Sequence, residues 1–549
     1  MISKRILTLF LTCLISLSIW GQDMYALLPK PVQVKALKGK STRLGTSSVI
    51  YFSPVFQPQA EYLQQQLQQQ TGISLILQSH VAGQGTQAAK SVVLEYDSIR
   101  INRPEMYRLI ISDGTIRIQA RDVRGAVNAI QTFMQLLPVK KQSSFLLPAV
   151  AITDYPQFVY RGMHLDVVRH FFPVSYVKKY LDYLAFHKLN TFHWHLTDDQ
   201  GWRLPSERYP LLNTIGSWRD STLIGHFKDT PARYDGQRYG GFYTKEEIAD
   251  VLAYAAVLGI NVIPEIDIPG HARAIIAAYP ELSTRPDTTW QVATTWGMYN
   301  RQNNVLAPNN HTFAFLRNIF DELCKLFPSN YIHIGGDECS RLWWKTDPKT
   351  QDFIRQNGLK DEAALQTYFS NYVAGLLKEK GRKTVGWHEI GDGDIDTSAI
   401  LMNWADDAKA LEIARKGFSV VMTPGKPFYF DHYQSKDPAD SLAIHGYNPL
   451  EAVYNYRIIP NKLKEAGLAQ KIIGGQANLW TEYIGSETKA DYMVLPRMAA
   501  LAENLWCSND RKNYNDFLRR LETVALHRYK HWGSHYFPNY RKWAIKDGQ

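Results

Sequence analysis

A chain of 549 residues, 45% hydrophobic and 21% charged, has ample length for a large core and for two globular units. Its formal charge is +10, or +8 without Lys4 and Arg5 (10 − 2), which is mild for that length. No basic run is interleaved with aromatics, which excludes a nucleic-acid binder, and past the amino terminus no apolar run could cross a bilayer.

Residues 1–21 read as a secretory leader: Lys4 and Arg5 precede an apolar stretch, 6–20, that is interrupted by Thr and Ser and is too short for a membrane span. Cleavage is expected after Gly21, although Ile19 is not the small residue preferred three positions back. Cys13 lies mid-leader without a small-residue context and is discounted as a lipid anchor. The product is therefore expected to be exported, to the periplasm or beyond. Cys324, Cys339 and Cys507 remain; three cysteines make no disulfide framework, and none has metal-finger spacing. With 14 Trp and 31 Tyr, ring faces could serve either a core or the apolar face of a sugar, and composition does not separate the two.

Residues 22–153 are expected to form a small α/β domain. Strands are expected at 48–52, 91–96, 107–112 and 115–120, with helices at 57–70 and 124–137; the second helix carries Val127, Ile130, Phe133, Met134 and Leu137 at helical spacing. This unit shows no chemistry of its own. From 154 to the carboxyl terminus the pattern becomes strand, helix, strand, helix. Strands are expected at 160–167, 191–196, 260–267, 331–338, 384–389, 399–404, 418–423 and 472–480. Helices are expected at 175–188, 244–258, 312–327, 361–380 and 406–416, with a closing helix at 489–505. Eight strands separated mostly by helices predict a (β/α)8 TIM barrel preceded by the small α/β domain, an open doubly wound sheet being the alternative. No Gly-x-Gly-x-x-Gly opens the first unit, which weighs against a dinucleotide fold.

In such a barrel the site is built at the carboxyl ends of the strands. Here those ends carry Asp166 and Arg169; His193, His195 and Asp198; Glu265, Asp267 and His271; Asp337 and Glu338; Trp387 and Glu389; Trp404; Tyr429 and Asp431; and Trp480 and Glu482. One polar strand end means little, but eight in step fit one pocket. Acids, one arginine, a tyrosine and three tryptophans suit a polyhydroxylated substrate held between hydrogen bonds and ring faces. The rival chemistry is metal hydrolysis, with His193-x-His195 on one strand face and His271 and Asp267 completing a site. The preferred alternative is that the two histidines fill the barrel and bond polar neighbours; no cofactor or metal is called for. A serine hydrolase lacks its Gly-x-Ser-x-Gly. A non-catalytic glycan binder would have little use for both Asp337 and Glu338.

Four motifs taken together are specific: Leu-Asp-x-x-Arg-His (165–170), His-x-His-Leu-x-Asp-Asp-Gln-Gly-Trp-Arg (193–203), Pro-Glu-Ile-Asp-x-Pro-Gly-His (264–271) and His-x-Gly-Gly-Asp-Glu (333–338). With them the chain resembles the family 20 glycoside hydrolases, the exo-acting β-N-acetylhexosaminidases, over residues 29–532. The resemblance implies that Glu338 is the general acid/base and that Asp337 orients the substrate's 2-acetamido group, whose carbonyl oxygen is the nucleophile in a retaining reaction. That group of enzymes is an exception to the two-carboxylate scheme. By position the resemblance assigns Arg169 to the 3- and 4-hydroxyls, Asp431 and Glu482 to the 4- and 6-hydroxyls, and Tyr429 to the acetamido oxygen. It makes Trp387, Trp404 and Trp480 the pocket walls, Asp198 and His271 a pair supporting Glu338, and Asp267 a residue behind them. Apolar walls are expected to raise the pKa of Glu338. The implied partners are oligosaccharides or glycoconjugates ending in β-linked N-acetylhexosamine. GlcNAc against GalNAc stays open. The loops at 200–241 and 272–311 are expected to shape the leaving-group side.

Overall fold

The computed structural model describes residues 25–80 and 91–543. The leader, its cleavage point and Cys13 lie outside the described residues. The amino-terminal part is a mixed seven-stranded sheet, ordered Gln33–Ala36, Val150–Asp154, Tyr107–Ser112, Thr115–Ala120, Ser91–Tyr96, Val49–Phe52 and Ile76–Ser79. Helices Gln57–Thr71 and Val123–Gln135 pack on it. The second starts at Asp122, whose carboxylate accepts the Gly125 N–H, and it is buried almost all round because it lies between this sheet and the helix Val174–Phe186. The four central strands sit where alternation predicts them. Gln33–Ala36, Thr42–Gly45, Ile76–Ser79, Ser144–Leu147 and Val150–Asp154 do not show in the sequence, since four or five residues hold too little alternation to read.

The remainder is a closed barrel of eight parallel neighbours: Tyr160–Asp166, Thr191–His195, Asn261–Glu265, Tyr331–His333, Lys383–Trp387, Ile400–Asn403, Ser419–Met422 and Ile472–Ala477. The helices between them carry legible caps. Thr244 and Glu247 form a reciprocal capping box, and Asn309, Asp361 and Asp406 each accept backbone N–H groups of the turn they open. Two expectations change. The fourth strand is only Tyr331–His333, because Gly335 and Gly336 turn the chain out of the sheet at φ +65° and +94°. The expected closing helix is two, Glu487–Val494 and Arg497–Trp506, since Leu495 is extended before Pro496, which has no N–H to continue a helix. Among the described residues no helix is long and apolar enough to cross a membrane.

The two parts meet across a buried, ionic seam. Asp154 accepts from Lys188 Nζ, Tyr107 Oη, Trp506 Nε1 and the N–H groups of Val32 and Tyr155. Glu105 pairs with Arg161, and Glu503 with Arg520. Inside the barrel the core is unusually polar: His164, His193, His195, Glu265, His333 and Gln476 are fully buried there beside Trp387 and Met402.

Candidate active site

At the carboxyl ends of the strands a cavity of about 860 Å³ is lined by Arg169, Asp198, His271, Asp337, Glu338, Trp404, Tyr429, Asp431, Trp480 and Glu482. Ten of the residues picked out in the sequence thus share one space. Asp337 and Glu338 leave the short fourth strand through the Gly335–Gly336 bend. A side chain at Gly335 would place its Cβ 1.8 Å from Asp267 Oδ1, so only glycine admits that carboxylate, which also accepts the Gly336 N–H at 3.0 Å. Glu338 itself has φ +44°, and His271 opposite it φ +47°. Left-handed backbone at two non-glycine residues facing each other is local strain of the kind that gathers at functional sites.

His271 links the acids. Its Nε2 lies 3.7 Å from both Asp337 Oδ2 and Glu338 Oε2, and its Nδ1 is 3.0 Å from Asp198 Oδ1. Burial opposes its charge, but Asp198 and Asp267 hold its pKa well above the ordinary histidine value. The imidazolium, 3.7 Å away, in turn lowers Glu338. This departs from the raised pKa expected from the sequence. The cause is the neighbour: the pull of His271 outweighs the burial that would raise a side chain still 49% exposed. Asp337, 14% exposed, and the fully buried Asp267 behave differently. Burial raises both, and Asp267 is raised further by Asp337 beside it. Each keeps one buried carboxylate oxygen without a protein partner, and two such acids side by side disfavour each other's charge.

Arg169 is held from three sides, by Gln200 Oε1 at 3.0 Å, Asp166 Oδ2 at 3.2 Å and Asp198 Oδ2 at 2.8 Å, and its guanidinium lies over the Trp480 ring at 5.1 Å. Asp431 and Glu482 stand together; burial raises both, and Glu482 raises Asp431 further. Asp431 Oδ1, Glu482 Oε2 and Asp337 Oδ1 are buried without a protein partner. Burial and Asp337 push the Tyr429 phenol up, which keeps it a donor. Trp404 and Trp480 face the cavity, but Trp387 does not. It is fully buried behind Trp480, rings 5.8 Å apart, and donates its indole N–H to Glu265 Oε1 at 3.0 Å. Alternation points Trp387 inward correctly, but does not say how deep along the barrel it sits.

The His193/His195 pair is engaged inside the barrel. His193 Nε2 is 3.0 Å, and His195 Nδ1 2.5 Å, from Glu265 Oε2; His193 Nδ1 takes the Gln476 amide at 3.0 Å. The contacts of His195 with Glu265 and of His193 with Gln476 are hydrogen bonds between complementary groups. Three lining residues escaped notice. Phe227, Trp296 and Met298 line the cavity from the two long loops, where no periodicity marks a functional side chain. Glu389 accepts the Trp404 indole N–H at 3.0 and 3.2 Å, and burial together with Asp337 pushes it up to about 9. It is the acid the sequence marks at the end of the fifth strand, to which the resemblance assigns no role.

Residues 158–509 match the glycosyl hydrolase family 20 catalytic domain, and residues 24–155 match domain 2 of that family. The β-hexosaminidase of Porphyromonas gingivalis is 35% identical over 93% of this chain, which spans 64% of that protein's length. The human β-hexosaminidase subunit beta is 30% identical over 77% of this chain and 70% of its own. An exo-β-N-acetylglucosaminidase of this family from Vibrio harveyi, solved in complex with N-acetylglucosamine, is 32% identical at a TM-score of 0.82, covering 93% of this chain and 78% of that one. A barrel with its acids gathered at one end, matched in sequence along nearly its whole length, makes this chain a member of glycosyl hydrolase family 20.

Proposed function

We propose that the chain is an exo-acting, retaining β-N-acetylhexosaminidase that removes terminal non-reducing β-linked GlcNAc or GalNAc with the substrate's own acetamido group as nucleophile. The observation that carries this is the disposition of the two acids. Asp337 and Glu338 are neighbours on one turn, both 3.7 Å from a single imidazole nitrogen. A retaining pair built from two protein carboxylates stands about 5–5.5 Å apart across the scissile bond, as acid and nucleophile. Two acids converging on one side of a pocket suit a different division of labour.

Asp337, ionised beside protonated Asp267, accepts the acetamido N–H and turns the carbonyl oxygen toward the anomeric carbon. Tyr429 donates to that oxygen, and Trp404 and Trp480 hold the methyl and the sugar face. Glu338 gives its proton to the departing oxygen as the C1–O bond breaks and the carbonyl oxygen bonds C1, forming an oxazolinium. Glu338, now a carboxylate, takes a proton from water as it adds at C1, which reopens the ring with retention. A sugar closing the mouth removes Glu338 from water, and this desolvation works against the pull of His271 and favours the protonated acid. Arg169, Asp431 and Glu482 hold the sugar's outer hydroxyls; the partnerless oxygens of the two acids support that role. Export under residues 1–21 completes the proposal: the substrates are glycan ends met outside the cytoplasm.

The test is a pair of chromogenic aryl glycosides. Aryl β-N-acetylglucosaminide is expected to be cleaved while aryl β-glucoside, which lacks the acetamido group, is nearly inert, with no change after exhaustive chelation. Comparable rates on both glycosides would remove substrate assistance.

A further inference from the structure

Two buried carboxylates lie one behind the other beneath Glu338, and a single side chain touches both. Asp198 accepts at Oδ1 from His271 Nδ1 at 3.0 Å and the Asp199 N–H at 2.6 Å, and at Oδ2 from Arg169 and from His195 Nε2, each at 2.8 Å. Glu265, deeper in the barrel, accepts at Oε2 from His195 Nδ1 at 2.5 Å, with His193 Nε2 3.0 Å from the same oxygen, and at Oε1 from Trp387. Both nitrogens of His195 therefore meet carboxylate oxygens. A neutral imidazole has one N–H and could serve only one of them; two acceptors need two donors, which is the imidazolium.

We propose that His195 is a positioning residue, a buried imidazolium that bridges Glu265 to Asp198 and so fixes the carboxylate on which both Arg169 and His271 depend. Through His271 it sets Glu338, and this step rests on the reading of Glu338 as the acid. The surroundings agree. On its own strand His193 is neutral, since its Nδ1 accepts from Gln476. From the first strand the His164 ring stands 5.6 Å away, and burial keeps it uncharged. From the eighth strand Trp480, 5.0 Å away, brings no charge. His333, on the fourth strand, is 2.8 Å from the other oxygen of Glu265. Burial opposes a charge on His195, but Glu265 and Asp198 outweigh it and push the ring up to about 10. Around Glu338 the charged neighbours are His271, Arg169, Asp198 and Asp337.

Neutron diffraction of the wild-type protein near neutral pH tests the bridge directly. Deuterium on both ring nitrogens of His195 is expected; deuterium on only one would overturn it, whatever any variant does. His195→Gln tests the consequence. Glutamine cannot bridge two anions as a cation, so kcat is expected to fall about 10–100-fold through misplacement of His271. Loss of one positive charge beneath Glu338 is expected to move the alkaline limb of kcat/KM upward by roughly half a unit to one unit. Adding Glu265→Gln restores the charge balance and should return the limb toward wild type while kcat stays low. A limb that does not move in His195→Gln marks a merely structural residue and overturns the inference. Glu338→Gln separates the two readings: if it is as active as wild type the acid assignment fails, and the neutron result still stands or falls alone.

Discussion

The molecule holds two buried clusters of charge, and they are finished to different degrees. At the seam between the sheet domain and the barrel, Asp154, Glu105 and Glu503 are saturated. Asp154 has five donors, and Arg520 closes on Glu503 with contacts of 2.5 and 3.1 Å. At the carboxyl ends of the strands, Asp337, Asp267, Asp431 and Glu482 each keep a buried oxygen without a protein partner; burial pushes all four toward their neutral forms, and Asp337 pushes Asp267, and Glu482 pushes Asp431, further. Burying a polar atom unpaired costs of order 1–3 kcal/mol. A fold that satisfies the seam completely and leaves the site incomplete has directed its unmet hydrogen bonds toward a ligand.

If that contrast is right, substitutions in the two clusters should fail in different currencies. The largest effect is expected from Glu338→Gln: a fall in kcat/KM on natural disaccharides of about 10²–10⁴-fold, smaller with an activated aryl leaving group that needs no proton. Its urea midpoint should match wild type, because the side chain is half exposed. Near-normal turnover of disaccharides would remove Glu338 as the acid. Next comes Lys188→Met at the seam. Lys188 Nζ holds Asp154 Oδ2 and the Tyr107 hydroxyl, each at 2.9 Å, and its loss leaves a buried carboxylate without a counter-charge. Removing one partner of such a pair costs about 3–5 kcal/mol. Urea unfolding should show that loss while the folded fraction keeps its kcat/KM. A large change in kcat/KM with unchanged stability would invert the comparison.

The site end of this contrast was legible in the chain because catalytic groups recur at a fixed place in each βα unit, just past an apolar strand. Arg169, Asp198, Asp337 and Tyr429 could be picked out on that rule, and the cavity gathers them. What stayed hidden depends on depth and on irregular chain. Trp387 points inward as alternation requires, but only the barrel's stagger puts it behind Trp480. Glu338 looks enclosed from its neighbours in sequence, yet a left-handed backbone turns it out to the mouth. Phe227, Trp296 and Met298 arrive on loops without period. The seam was invisible for another reason: Asp154 draws on Val32, Tyr107, Lys188 and Trp506, and no local pattern joins residues so far apart.

The last substitution sharpens the comparison most, because near neutral pH it should leave activity in place while it asks whether a site acid is held neutral by its surroundings. Glu389 is pushed up to about 9 by burial and by Asp337, and Trp404 donates its indole N–H to both oxygens. An unfolded glutamate ionises near 4.3, so between that value and about 9 the native state keeps a proton the unfolded chain has lost. The unfolded state then binds fewer protons, and stability falls as pH rises, with a slope of at most about 1.4 kcal/mol per pH unit from this group. Glu389→Gln cannot ionise and still offers an oxygen to Trp404. It is expected to match wild type below about pH 5 and to become progressively more stable than wild type toward pH 9, with activity retained near neutrality. Urea midpoints measured across that range decide it. A difference that stays flat with pH would mean that Glu389 is ionised in the native protein, that Trp404 is held by a carboxylate as saturated as those of the seam, and that the unmet character of the site does not extend to its fifth strand.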